Sequence, residues 1–353
     1  MSLVFGHPWL GGLFDDAEAA TVWSAERQLA HLLAFEAAWS RALGRVGRVE
    51  PDRAERAAAA VERWTPDPAA LRAGTATDGV PVPALVRALK VAAGEDADAV
   101  HAGSTSQDVM DTALAATLRE CSDLLEARVG GLARALDALR VRFGDAPLTG
   151  RTRMQAALPV TARTRIDAWA APWPRHLERL REVRPRVEVL QLGGAAGDRA
   201  PFAAEADAIG RELGAALGLA PAPAWHTARD GLAEYAGLLS MIAGGCGKIG
   251  QDAALMAQQG IDEIALGGGA SSAMAHKRNP IAAELLVALA RYAATQLPAV
   301  HHALVHEQER SGAAWTLEWM VLPPLAVTAC RALAVATEMV EGIERIGSAG
   351  DAA

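Results

Sequence analysis

The feature that most restricts the fold of this chain is a run of apolar residues between Asp111 and Phe143. Leu114, Leu118, Leu125, Val129, Leu132, Leu136 and Leu139 recur there at steps of three, four and seven. That spacing keeps one stripe of a single long helix apolar, even across Gly130 and Gly131, and an unusually long helix needs others beside it to cover its stripe. Comparable patterns begin at Thr21, with Gly44 and Gly47 as stop signals, and recur to Gln191, from Ala203 to Leu219, from Gly231 to Gln259 and from Ala282 to the last residues. Short connections between such helices imply a bundle. Hydrophobic residues make up 51% of the chain, much of that alanine, with only 2 tyrosines and 5 phenylalanines. The composition therefore favours helix over sheet, and no alternating run of useful length or fixed-period repeat is present. The expected class is all-α, around a central bundle of long helices.

With 353 residues the chain is long enough for more than one domain. The segment GEDADAVHAG separates an N-terminal helical unit, 1–97, from a central bundle, 98–345, followed by a short tail, 346–353. The formal net charge of -8 argues against nucleic-acid binding by bulk electrostatics, so an anionic ligand needs local cations. Cys121, Cys246 and Cys330 lack CxxC spacing and read as reduced cytoplasmic thiols; neither a metal nor a disulfide framework is expected. The first residues do not form a secretory signal, and no segment is expected to be long and charge-free enough to cross a membrane.

Polar residues gather in islands within this apolar background. His101 to Thr112, HAGSTSQDVMDT, leads into the long helix with His101, Thr105, Ser106, Gln107 and Asp108 together. Helix capping explains one hydroxyl there, but not all five groups, and a helix start also presents N–H groups to an anion. Thr149 to Thr161 holds Arg151, Thr152, Arg153 and Gln155, for which a solvated charged face is the competing reading. Gly267 to Glu284, GGGASSAMAHKRNPIAAE, places Ser271, Ser272, Lys277 and Asn279 on a glycine-rich loop suited to closing over a ligand. Pro280 suits the first turn of the helix that follows. A weaker island, His306 to Trp319, contains Glu309 and Arg310, which taken alone read as surface charges.

In this order the islands resemble the fumarase/aspartase superfamily of lyases, from about Phe14 to Pro323. Ala270 to Asn279 is similar to the G-S-S-x-M-P-x-K-x-N signature, with Ala270 for Gly and Ala275 for Pro. His101 to Thr112 resembles the H-x-G-x-T-S-x-D-x-x-D-T segment of the branch containing adenylosuccinate lyase and 3-carboxy-cis,cis-muconate cycloisomerase, and WHTARDGLAEYAG resembles its Arg-Asp segment, placing Arg229 and Asp230. The resemblance implies a fumarase/aspartase-like fold with a short or absent C-terminal domain. It also implies a cofactor-independent cytoplasmic enzyme, and a homotetramer whose subunits share active sites.

Many members of the superfamily carry His where this chain has Arg153. Expelling an amine requires a proton donor, whereas a carboxylate leaving group does not. Arg153, with the resemblance of His306 to Trp319 to the cycloisomerase branch, implies lactonisation of 3-carboxy-cis,cis-muconate, a tricarboxylate of protocatechuate degradation. On this reading Ser271 moves the proton, Lys277 helps to activate it and holds a carboxylate, Arg153 stabilises the carboxylate anion, and Ser272 and Met274 present N–H groups to the oxyanion. His101, Thr105, Ser106, Gln155, Asn279 and Arg310 hold carboxylates. The alternatives are a superfamily lyase that releases fumarate from adenylosuccinate or argininosuccinate, and a non-catalytic, crystallin-like structural protein.

Overall fold

A computed structural model describes residues 4–267 and 277–347. The N-terminal helices are α1 (Gly11–Phe14), α2 (Ala17–Val22), α3 (Ala25–Arg45), α4 (Pro51–Arg63), α5 (Pro68–Asp78) and α6 (Val82–Ala93). The long helix α7 (Ser106–Phe143) leads into a hairpin of β1 (Pro147–Thr152) and β2 (Gln155–Thr161), then α8 (Ala162–Ala170), α9 (Pro172–Val187) and α10 (Ala206–Leu217). The remainder comprises α11 (Asp230–Met256), β3 (Ile264–Leu266), α12 (Ile281–His302), α13 (Gly312–Glu341) and β4 (Ile343–Ile346), which pairs antiparallel with β3.

Most of the expected helices form, with local differences that have physical causes. The run expected from Thr21 breaks at Ser24, whose hydroxyl accepts from the Arg27 N–H at 3.1 Å and starts α3 as its N-cap. Gly44 is not a stop. It lies inside α3, where a Cβ would sit 2.6 Å from the Ala54 side chain, so it serves the close approach of α4. Gly47, at φ +77°, makes the turn. Pro280 is the cap of α12, one residue before its first turn. The pattern expected from Ala282 onward divides into α12 and α13 around residues 303–311, the segment that carries Arg310.

The core forms two clusters, and α7 belongs to both. Phe35, Trp39, Val61, Leu85, Leu89, Ile209 and Leu213 pack with Val109 and Ala113 from the start of α7. Farther along, Leu118, Leu125, Leu132 and Leu136 pack with Trp169, Trp173, Tyr235, Ile242, Leu286, Leu325 and Leu333. These are the stripe positions of the sequence, with Leu114 only partly buried. Helix α12 lies against α11 at very close range: a Cβ on Gly250 would come within 2.6 Å of the Ala283 carbonyl oxygen.

One expectation is corrected here. Helix α13 contains a stretch of mean hydropathy 1.6, long and apolar enough to cross a membrane, but 72% of that stretch is buried within the bundle. Its apolarity is that of a core helix covered on nearly all sides.

The polar islands lie at two ends of the bundle. At one end meet the starts of α7, α11 and α13, joined through Asp111, Arg229 and Trp315. At the other meet the end of α7, the β1–β2 hairpin, β3 and β4, where the Arg142 guanidinium donates to the Ile343 carbonyl at 2.9 Å. The start of α12 lies near the end of α11, at this second end. The 38 residues of α7 separate the two ends by roughly 55 Å, at about 1.5 Å per residue.

Candidate active site

The first end assembles the His101 to Thr112 island. Thr105 is the N-cap of α7, and its backbone N–H donates to the Asp108 carboxylate at 3.1 Å. Asp108 is fully buried and also accepts from the N–H groups of Gly193 and Gly194 at 2.7 and 3.0 Å, so it ties the loop after α9 to the helix start. Buried Gln107 donates to the His226 carbonyl at 2.9 Å and to Asp111 at 3.1 Å. Its side-chain oxygen accepts from Arg310 Nε at 2.9 Å. Arg310 Nη2 reaches the Thr105 hydroxyl and the Ala195 carbonyl, each at 3.1 Å. Arg310, a surface charge when its segment is taken alone, thus lies against the N-terminus of the longest helix. A guanidinium and a helix dipole of the same sign converge there, a favourable setting for a carboxylate.

His101 occupies the turn before α7 at φ +60°. Its Nδ1 lies 2.6 Å from Oε1 of Glu36, on α3. Glu36 was not expected as a site residue. Its signal in the sequence was a carboxylate on the otherwise apolar stripe of Leu32, Phe35, Trp39 and Leu43.

Beneath this surface lies a buried ionic layer. Arg229 donates to Asp111 at 2.6 Å and to Glu318 at 2.8 Å, while Trp315 Nε1 donates to Asp111 at 3.0 Å. All four residues are nearly inaccessible. Burial would push the Arg229 guanidinium down, but the charge of Asp111 and the bond to Glu318 hold it above its ordinary value. Trp225 stacks on the guanidinium at 4.6 Å. The Arg-Asp segment therefore joins α7, α11 and α13, and Gln107 connects this layer to Arg310.

The second end carries the Thr149 to Thr161 island and the described part of the Gly267 to Glu284 island. Arg153 and Met154, at φ +49° and +66°, form the two-residue turn of the β1–β2 hairpin, with Thr152 paired to Gln155. Two successive left-handed residues are the geometry of a tight hairpin turn, usually met with Asn-Gly. Neither residue is glycine, so the turn costs about 1 kcal/mol or more per residue in backbone strain. Arg153 and Gln155 are exposed, as are Met154 in the turn at 74% and Leu158 farther along β2 at 72%, apolar side chains left open to solvent. The hairpin is pinned close to its turn by Arg151, which donates to Glu263 at 2.6 Å; Arg165, on α8, reaches the same buried carboxylate at 3.3 Å. Glu263 immediately precedes β3, so the hairpin is fastened to the strand that enters the serine loop. Lys277 is exposed and Asn279 half-buried just before α12. Ser271, Ser272 and Met274 lie outside the described residues.

The fold therefore gathers His101, Thr105, Ser106 and Arg310 at one end, and Arg153, Gln155, Lys277 and Asn279 at the other. Within one chain the two sets do not meet.

Comparison with known proteins agrees with the motifs. The Lyase family model matches residues 15–294. The chain is 40% identical to the 3-carboxy-cis,cis-muconate cycloisomerase of Pseudomonas aeruginosa, over 98% of this chain and 77% of that protein. It is 31% identical to the N-acetyl-S-(2-succino)cysteine lyase of Enterococcus italicus, over 94% of this chain and 74% of that protein. The crystal structure of the 3-carboxy-cis,cis-muconate lactonizing enzyme from Pseudomonas putida superposes with a TM-score of 0.89 at 36% identity, covering 96% of this chain and 77% of that one. The bundle, the ordered islands and these matches together establish that the chain belongs to the Lyase family, the fumarase/aspartase superfamily.

Proposed function

We propose that the protein is a 3-carboxy-cis,cis-muconate cycloisomerase. The observation that carries this reading is Arg153 at the hairpin turn, the position where a proton-donating histidine would serve an amine leaving group. A guanidinium stays charged and stabilises an anion through hydrogen bonds without giving up a proton. The two similar proteins named for this lactonisation support the same reading. In the reaction, one substrate carboxylate oxygen bonds to an alkene carbon. The π electrons move into the conjugated carboxylate as an aci-carboxylate, and Ser271 donates the proton that ends on the α carbon. Lys277, Arg153 and the N–H groups of Ser272 and Met274 stabilise the developing charge. His101, Thr105, Ser106, Gln155, Asn279 and Arg310 hold the tricarboxylate, and no cofactor takes part.

Such a site needs residues from both ends of the bundle, which α7 holds too far apart for one small substrate. Copies of the chain packed antiparallel supply the two sets to one another, in a homotetramer with shared active sites. The exposed Met154 beside Arg153, and Leu158 farther along β2, support a partner surface on that hairpin. Three buried, unpaired thiols fit a reducing, cytoplasmic location.

The test is loss of muconate ultraviolet absorbance with purified protein, run beside fumarate release from adenylosuccinate, argininosuccinate and N-acetyl-S-(2-succino)cysteine. The last substrate is included because a relative at 31% identity is named for it. Turnover of muconate alone is expected, lowered about tenfold or more in Arg153→His. Fumarate release without muconate turnover would replace this reading by the lyase one, and silence on every substrate would favour a structural protein.

A further inference from the structure

Glu36 is a carboxylate in a place where an apolar side chain would pack. It is wholly inaccessible, on the face of α3 that contributes Phe35 and Trp39 to the core. Oε1 meets His101 Nδ1 at 2.6 Å, while Oε2 has no hydrogen-bond partner among the described residues. A buried carboxylate satisfied on one side only is costly, and such groups in native structures call for a reason beyond packing.

The surroundings give that reason. Three side chains on one face of α3, at positions 36, 39 and 40, hold the short segment before α7. Trp39 Nε1 donates to the Ala102 carbonyl at 3.1 Å and the Ser40 hydroxyl to the Ala99 carbonyl at 3.0 Å. Between these anchors His101 is kept left-handed, a conformation that a non-glycine residue retains only where its neighbours impose it. The His101 side chain is 16% exposed and Glu36 not at all, so the ring leads from a buried carboxylate to the surface of the turn that precedes the Thr105 cap. Glu36 occupies Nδ1, which leaves Nε2 as the ring nitrogen for a ligand. A carboxylate that accepts from Nδ1–H fixes the orientation of the ring, and in the imidazolium form the second N–H, on Nε2, donates to an anion.

We propose that Glu36 is a positioning residue that acts through His101, aiming the Nε2–H of its imidazolium at a substrate carboxylate. The proposal rests on the reading of His101 as a substrate contact.

A double-mutant cycle tests it in the full-length protein. Glu36→Ala and His101→Ala are each expected to raise KM for 3-carboxymuconate about tenfold with little change in kcat, and the double variant to be no worse than His101→Ala alone. Glu36→Gln, whose amide oxygen still accepts from Nδ1–H, should restore most of the affinity and covers the case in which the alanine variant folds poorly. Effects that multiply to about a hundredfold in the double variant would overturn the proposal, because Glu36 would then act independently of His101. A second readout does not depend on turnover. In 15N-histidine spectra the His101 signal, assigned by its loss in His101→Ala, should show Nδ1 protonated and hydrogen-bonded, and should shift in Glu36→Ala. An unchanged signal overturns the proposal whatever the kinetics. A shifted signal together with a silent muconate assay would uphold the pairing and remove the cycloisomerase reading instead.

Discussion

Arg310 is the residue whose meaning changes most between sequence and structure. Beside Glu309 it reads as one more surface charge, and nothing in its neighbourhood along the chain says otherwise. Its significance comes from Gln107 and Thr105, some two hundred positions earlier, which hold the guanidinium over a helix N-terminus. Replacing Arg310 by Ala is expected to raise KM about ten- to a hundredfold, with thermal stability nearly unchanged because the side chain is largely outside the core. Arg310→Lys should fall between, since an ammonium cannot reach Gln107, Thr105 and Ala195 as a planar fork does. Steady-state kinetics and a melting curve on both variants decide the matter; an unchanged KM would remove Arg310 from the substrate site. Arg153 illustrates the opposite case. Its chemical identity was the clue, and its position at a strained turn adds only how it is presented.

Among elements, the helices were legible because their apolar spacing is decided by the same burial that the fold satisfies, from Leu118 through Leu139 on α7. The hairpin was not. Its strands are mostly exposed, so no alternation of buried and solvent positions marks them, and an Arg-Met turn lacks the glycine or asparagine that signals reversal. The ionic joint between α7, α11 and α13 was half legible: Arg229 stood out within its motif, while its partner Glu318 did not. Because that joint is buried, its loss concerns stability first. Arg229→Met leaves Asp111 and Glu318 buried without their cation, and is expected to cost about 3–5 kcal/mol. Denaturant titration measures this, and a loss below about 1 kcal/mol would mean that water or rearrangement satisfies the carboxylates.

For the molecule as a whole, the proposed function divides the site between two ends and so calls for a working unit larger than one chain. Order along the sequence displays every island but not their distances, since adjacency in a motif list carries no length. The helix does, and it places Thr105 and the hairpin turn at Arg153 far apart. Two defective variants should therefore repair each other. Ser271→Ala and Arg310→Ala, co-expressed with different tags and purified through both, are expected to recover up to about a quarter of wild-type activity at low substrate, because random assembly leaves that share of composite sites intact. Under the same conditions Ser271→Ala alone should remain near background and Arg310→Ala alone at about a tenth of wild type or less. Absence of recovery in verified mixed oligomers would mean that both residues of a site come from one chain.

The unbroken length of α7 also bears on how such a sequence tolerates insertions and deletions. One residue added to its middle would advance everything beyond it by about 1.5 Å and rotate it by about 100°, carrying the hairpin end out of phase with the Thr105 end. No loop lies between the two to absorb the change. Lengthening is compatible with this architecture at the Arg153–Met154 tip or in the segment before Arg310, whereas α7 acts as a fixed ruler whose graduations cannot be renumbered singly.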